Sequence, residues 1–136
     1  MYRKGEGVLQ DWEEAAKLYR LAAEQGFAEA QTALGLMYYN GYGVLQDWEE
    51  SARWYEKAAE QGYAVAQGNV GLMYRKGQGV LQDDMKAHMW WNIAASAGDK
   101  DAAKNRGLVE DEMTSEQIVE AQKMARECVT NNLKGC

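Results

Sequence analysis

Residues 41–52 read GYGVLQDWEESA, and this stretch decides the fold. It stands at 5–16 as GEGVLQDWEEAA and at 77–88 as GQGVLQDDMKAH, so the interval is 36 residues both times. Residues 1–36 and 37–72 agree at 23 of 36 positions, while the third copy is looser and the pattern stops after Gly107. A period in the mid-thirties marks a unit that buries its apolar side only against its neighbours.

Each unit reads as two helices. Asp47 is an N-cap, with Glu50 three residues on as its capping-box partner. Trp48, Ala52, Tyr55, Ala58 and Ala59 follow at helical spacing, and Gly62 ends the run. Asp11 to Gly26 repeats this logic. The other helix starts near Ala28 or Ala64 and stops at Gly41 or Gly77. The GxGVLQD link is too short for a strand crossover and suits a turn between antiparallel helices. A second glycine set, Gly35, Gly71 and Gly107, is expected to let neighbouring helices approach closely. The fold class is all-α, a stacked helical solenoid.

The 136 residues fit one domain. They contain 14 glycines and no proline, where ordinary usage of about 5% would give roughly seven. Glycine alone therefore ends the elements. The net charge of −6 lacks the basic footprint of a nucleic-acid binder. No apolar run approaches the ~20 residues of a membrane span. With one histidine, two cysteines and no HxxE, CxxC or Asp-rich calcium loop, no metal site or cofactor is expected.

Ala28 to Gly62, AEAQTALGLMYYNGYGVLQDWEESARWYEKAAEQG, resembles the Sel-1-like repeat family, relatives of tetratricopeptide repeats. KAHMWWNIAASAG at 86–98 resembles a last-repeat variant, and MTSEQIVEAQKMAREC at 113–128 the family's terminal capping helix. The resemblance implies a right-handed α/α superhelix. Residues 1–109 hold the repeats (near 1–27, 28–63 and 64–99, with a helix to 109), and 110–136 the capping helix and tail. Thr114 and Gln117 form a capping box for that helix, and Ile118, Ala121, Met124, Ala125 and Cys128 its apolar stripe. It is expected as a lid over the open end of the array. Met1 and Tyr2 match Met37 and Tyr38, so the sequence is expected to start inside a unit.

In tetratricopeptide-like arrays the first helix of each unit lines the concave face. By position this points at Glu29, Thr32, Ala33, Leu36, Tyr39 and Asn40, then at Val65, Gly68, Asn69, Leu72, Arg75 and Lys76. Arg3 and Lys4 match Arg75 and Lys76. The result is a positive, aromatic-flanked strip suited to an extended peptide bearing carboxylates. A solvated helix end also accounts for the basic residues, because cations favour a helix C-terminus. The function implied is a non-enzymatic module that captures a protein or peptide. A small-molecule binder or hydrolase is the second reading, because cysteine-rich relatives are linked to β-lactam binding, though this chain lacks their cysteine pairs within repeats. A purely structural array is the third reading.

His88 aligns with Ala16 and Ala52. It reads either as a general base or as a partly exposed helix residue. Cys128 and Cys136 would be ~12 Å apart on one helix, too far for a disulfide, which needs Cα atoms within ~7 Å. Asn131, Asn132 and Gly135 would let the tail fold back, and a bond would then staple the lid. The ending resembles tails of exported bacterial members, which favours the periplasm or the exterior. Two free thiols in a cytosolic protein are the alternative.

Overall fold

The computed structural model describes the backbone of residues 6–136 and the side chains of residues 11–136. The described residues form seven helices and no strand: α1 (Glu6–Glu24), α2 (Ala28–Asn40), α3 (Trp48–Glu60), α4 (Ala64–Lys76), α5 (Asp84–Ser96), α6 (Lys100–Glu110) and α7 (Ser115–Thr130). Each of α2 to α5 packs on the helix before and after it, and α6 packs on α5, as in an α/α superhelix.

The caps sit where the sequence puts them, except that the Glu50 carboxylate turns to Arg53 at 2.8 Å instead of completing a capping box with Asp47. Asp47 and Asp83 accept the backbone N–H of Glu50 and Lys86, each at 3.1 Å. Gly41 and Gly77 end α2 and α4 in the left-handed region, at φ 72° and 68°. The link then returns through Asp47 N–H to Tyr38 O and Asp83 N–H to Tyr74 O. In the first copy the same link continues as helix, because α1 runs from Glu6. The later links are held down on an earlier helix. Gly43 lies against the Trp12 carbonyl and Gly79 against that of Trp48, so close that neither has room for a Cβ. No described helix offers such a seat to the first link.

Two further contacts fix the stacking. The Tyr55 ring lies on Gly35 and the Trp91 ring on Gly71, where an added Cβ would stand 2.7 and 2.6 Å from the ring atoms. Burial pushes the Tyr55 hydroxyl up to about 12. Ser51 Oγ donates to Gly35 O at 2.7 Å. The third glycine, Gly107, faces open space. Buried amides tie each unit to the one before it. Gln31 Nε2 donates to Ala23 O at 3.1 Å and Gln67 Nε2 to Ala59 O at 3.2 Å. Gln31 Oε1 also accepts from Gln61 Nε2 at 2.9 Å. Gln67 Oε1 is buried with no partner among the described residues.

Trp12 and Trp48 depart from the expected core stripe. Both are about two-fifths exposed. Trp48 begins α3 and Trp12 lies in the first half of α1; the carbonyls of both face a later link, and Trp12 stacks on Tyr42 with centroids 4.7 Å apart.

The last helix has the expected capping box of Thr114 and Gln117. Ala121, Ala125 and Cys128 are buried, and Ile118 and Met124 half-buried. Its position differs from a lid over the end of the array. α7 lies along α5, where Ala125 and Cys128 join Met89, Trp90 and Ile93 in one core. The register explains this, because Met89 and Ile93 replace Arg53 and Lys57 of the preceding unit. That exchange makes the outward side of α5 apolar.

Candidate binding groove

α2, α4 and α6 turn one side away from α3 and α5, and the 36-residue register sets what that side carries. Leu36, Leu72 and Leu108 occupy one position, and Asn69 and Asn105 another. Leu36 and Leu108 are 49% and 57% exposed, and Leu72 is half-buried. Large apolar side chains repeated at one register yet left open are uneconomical for stability alone. Between α2 and α4 lies a hollow of about 210 Å³ bounded by Leu36, Tyr39, Asn40, Asn69 and Leu72. Between α4 and α6 lies a second of about 470 Å³, which shares Asn69 and Leu72 with the first. The two form one groove across three helices.

The structure gives the sequence-derived residues different roles. Thr32 Oγ1 donates to Ala28 O at 2.9 Å, and Asn40 Nδ2 to Leu36 O at 3.0 Å, so both are partly satisfied by their own helix. Tyr39 OH donates to Gln78 Oε1 of the next link at 2.6 Å. Lys76 is exposed. Arg3 and Lys4 lie outside the described residues.

Arg75 is not an open cation. Its guanidinium donates to both Asp84 oxygens, at 3.0 and 3.1 Å, and to Glu112. The hydrogen bond to Asp84, with the charges of Asp84 and Glu112, holds its pKa above the ordinary value. Arg75 therefore joins the end of α4 to the start of α5 and the turn after α6. Asp84 is nine residues away and Glu112 thirty-seven, separations at which spacing gives no signal.

His88 is fully buried, which corrects the expectation of a partly exposed residue. Its Nε2 lies 2.7 Å from Glu110 Oε2, and Nδ1 has no partner among the described residues. The ring sits between α5 and α6, where a smaller residue stands in the other copies, because Glu110 reaches it from the end of α6. A side chain so enclosed has no approach for a substrate, which removes the general-base reading. Cys128 and Cys136 are joined, with Cα atoms 5.5 Å apart. The chain turns back through Asn132 and Leu133, both at positive φ.

The sequence reading missed the third row of the groove: Asp101, Lys104, Asn105 and Leu108 on α6. The period itself was the signal, since Asn105 and Leu108 stand 36 residues beyond Asn69 and Leu72.

The model of the Sel1 repeat matches residues 1–27, 28–63 and 64–99. The chain belongs to the Sel1 repeat family. Two solved structures share the arrangement. One is a protective antigen of uropathogenic Escherichia coli strains displaying an SLR fold, 31% identical with a TM-score of 0.88. That match covers 92% of this chain and 27% of the antigen, so this chain spans about a quarter of its length. The other is a Sel1 repeat protein from Oxalobacter formigenes, 43% identical, with a TM-score of 0.65 over 67% of this chain and 68% of that one. Comparison with curated proteins found no match. Sel1 repeat proteins are generally scaffolds for protein interaction and typically not enzymes. No described helix of this Sel1 chain is long and apolar enough to cross a membrane.

Proposed function

We propose that this Sel1 array holds a segment of a partner protein along the groove of α2, α4 and α6, without catalysis. The observation that carries the reading is the row of leucines at one register, exposed at Leu36 and Leu108 and half-buried at Leu72, running through two joined hollows. Asn69 sits at the join, and Tyr39 and Asn40 line the first hollow beside Leu36. Thr32 and Lys76 lie on α2 and α4 outside both linings, and Arg75, held by Asp84 and Glu112, is a structural tie rather than a hook. Replacing Leu72 with Asp puts a charge in the middle of the floor. Photo-crosslinking to a native partner from position 69 should then fall at least ~10-fold, at a temperature where circular dichroism shows the variant still fully helical. Undiminished crosslinking in the Asp variant rejects the groove.

We also propose that the Cys128–Cys136 bond is present in the working protein, which places the chain in an oxidising compartment, the periplasm or the exterior. The intact mass should rise by about 2 Da on reduction, two hydrogens for one bond. An unchanged mass in protein isolated from the host rejects this placement.

A further inference from the structure

We infer that the Cys128–Cys136 bond is a reducible clasp on α7: breaking it releases Leu133 from the end of α3 and loosens α7 from the outward side of α5. This rests on the bond being present in the working protein and gives it a switching role.

The bond does not tie α7 to another helix directly. It joins the last turn of α7 to the tail eight residues on. Inside that loop the chain makes a tight reverse turn. Asn132 and Leu133 stand at φ 56° and 63°. Leu133 N–H donates to Cys128 O at 2.8 Å, and Asn131 Nδ2 to Lys134 O at 2.8 Å. The left-handed region tolerates asparagine but is unfavourable for leucine. Residues persist there where the surrounding structure over-determines them. The closed loop supplies that constraint.

Leu133 is what the turn delivers. Its Cδ1 lies against Gly62 at the end of α3, 4.0 Å from where a Cβ would stand. Leu133 and Cys136 pack on the core cluster that contains Ala59, Met89 and Cys128. The helix itself brings little apolar area to that core. Its buried residues are Ala121, Ala125 and Cys128, with Ile118 and Met124 half-buried. The Leu133 anchor is therefore a substantial part of what holds α7 down.

The bond is also within reach of a reductant. Cys136 is half-buried, whereas Cys128 is buried. Beside them opens a hollow of about 350 Å³ bounded by Met89, Met124 and both cysteines. A dithiol supplies the two electrons. One of its thiolates attacks Cys136 Sγ, the S–S bond breaks, and Cys128 leaves as a thiolate and takes up a proton. The donor's second thiolate then closes on the donor's first sulfur and releases Cys136 as a thiol. The donor ends as a disulfide, and the two cysteines hold its two protons.

Hydrogen exchange read by mass spectrometry, on the full chain oxidised in vitro, with and without dithiothreitol, tests this. Intact mass confirms the bond beforehand, so a failure here is distinct from finding no bond in protein from the host, which rejects the oxidising compartment instead. Reduction should speed exchange at Leu133 and along 121–130 at least ~10-fold, while α2 stays within twofold. Leu133→Ala, kept oxidised, should match the reduced chain along 121–130 within threefold, and reducing that variant should add less than twofold. Cys136→Ser should behave as the reduced chain with or without dithiothreitol. Exchange along α7 that reduction leaves within twofold overturns the clasp. Reduction that speeds Leu133→Ala as much as the unaltered chain overturns the anchor at Leu133.

Discussion

α1 and α5 hold the same place in their units, and their outward faces have opposite fates. Leu18 and Leu21 on α1 are 64% and 60% exposed, whereas Trp90 and Ile93, 72 residues on, are 3% and 8% exposed. Tyr19 is 42% exposed and its counterpart Trp91 3%. The backbone is the same helix in the same register. The difference is the neighbour: α7 covers the outward side of α5 and α4 presents Gly71 to Trp91, while no described helix covers those sides of α1. Burial in this array is thus decided between units, as expected where each unit completes the core of the next.

The largest effect expected from this contrast is at residue 93. Ile93→Lys restores the charge that α3 carries at Lys57, but beneath α7. It should cost about 3–5 kcal/mol by urea unfolding, from lost packing and an unpaired charge. Leu21→Lys should change stability by less than about 0.5 kcal/mol. Equal costs would mean that α7 contributes nothing to the core at α5.

The glycine set sharpens the same comparison. Gly71→Ala drives a methyl group into the Trp91 ring and should cost about 1–3 kcal/mol. Gly107→Ala meets open space inside a helix and should gain about 0.5–1 kcal/mol. Thermal melts of the two variants should move in opposite directions.

The smallest effect concerns the amide ties. Gln61 at the end of α3 donates to Gln31 on α2, whereas Ala97 at the end of α5 stands where a matching donor to Gln67 on α4 would be. Ala97→Gln should supply that hydrogen bond and add about 1 kcal/mol, read as a higher urea midpoint. No gain would show that Gln67 finds its partner in solvent.

Much of this was legible in the sequence, for identifiable reasons. Repetition fixed the helices, since Asp47 and Asp83 as caps and Gly41 and Gly77 as stops recur in step. The groove was half legible, because Leu36, Asn69 and Leu72 follow from register. The course of α7 was not legible from its own stripe, which any apolar strip could bury. It was encoded on the other side of the contact, at Met89 and Ile93. The roles of Arg75 and His88 stayed hidden because their partners, Glu112 and Glu110, lie 37 and 22 residues away and meet them only once α6 is docked. Charge at a helix end looks the same whether it faces solvent or a carboxylate.

The amide chain has a mechanical consequence. Gln61, Gln31 and the Ala23 carbonyl form a continuous strut across the first joint of the array. Between α4 and α5 the strut is broken, because Gln67 reaches back to Ala59 but no described residue donates to Gln67 Oε1. Treated as a spring, the superhelix has one stiff coil and one compliant one. A bending load on this protein would meet one fewer amide tie between α4 and α5 than between α2 and α3, on the span from Leu72 to Leu108.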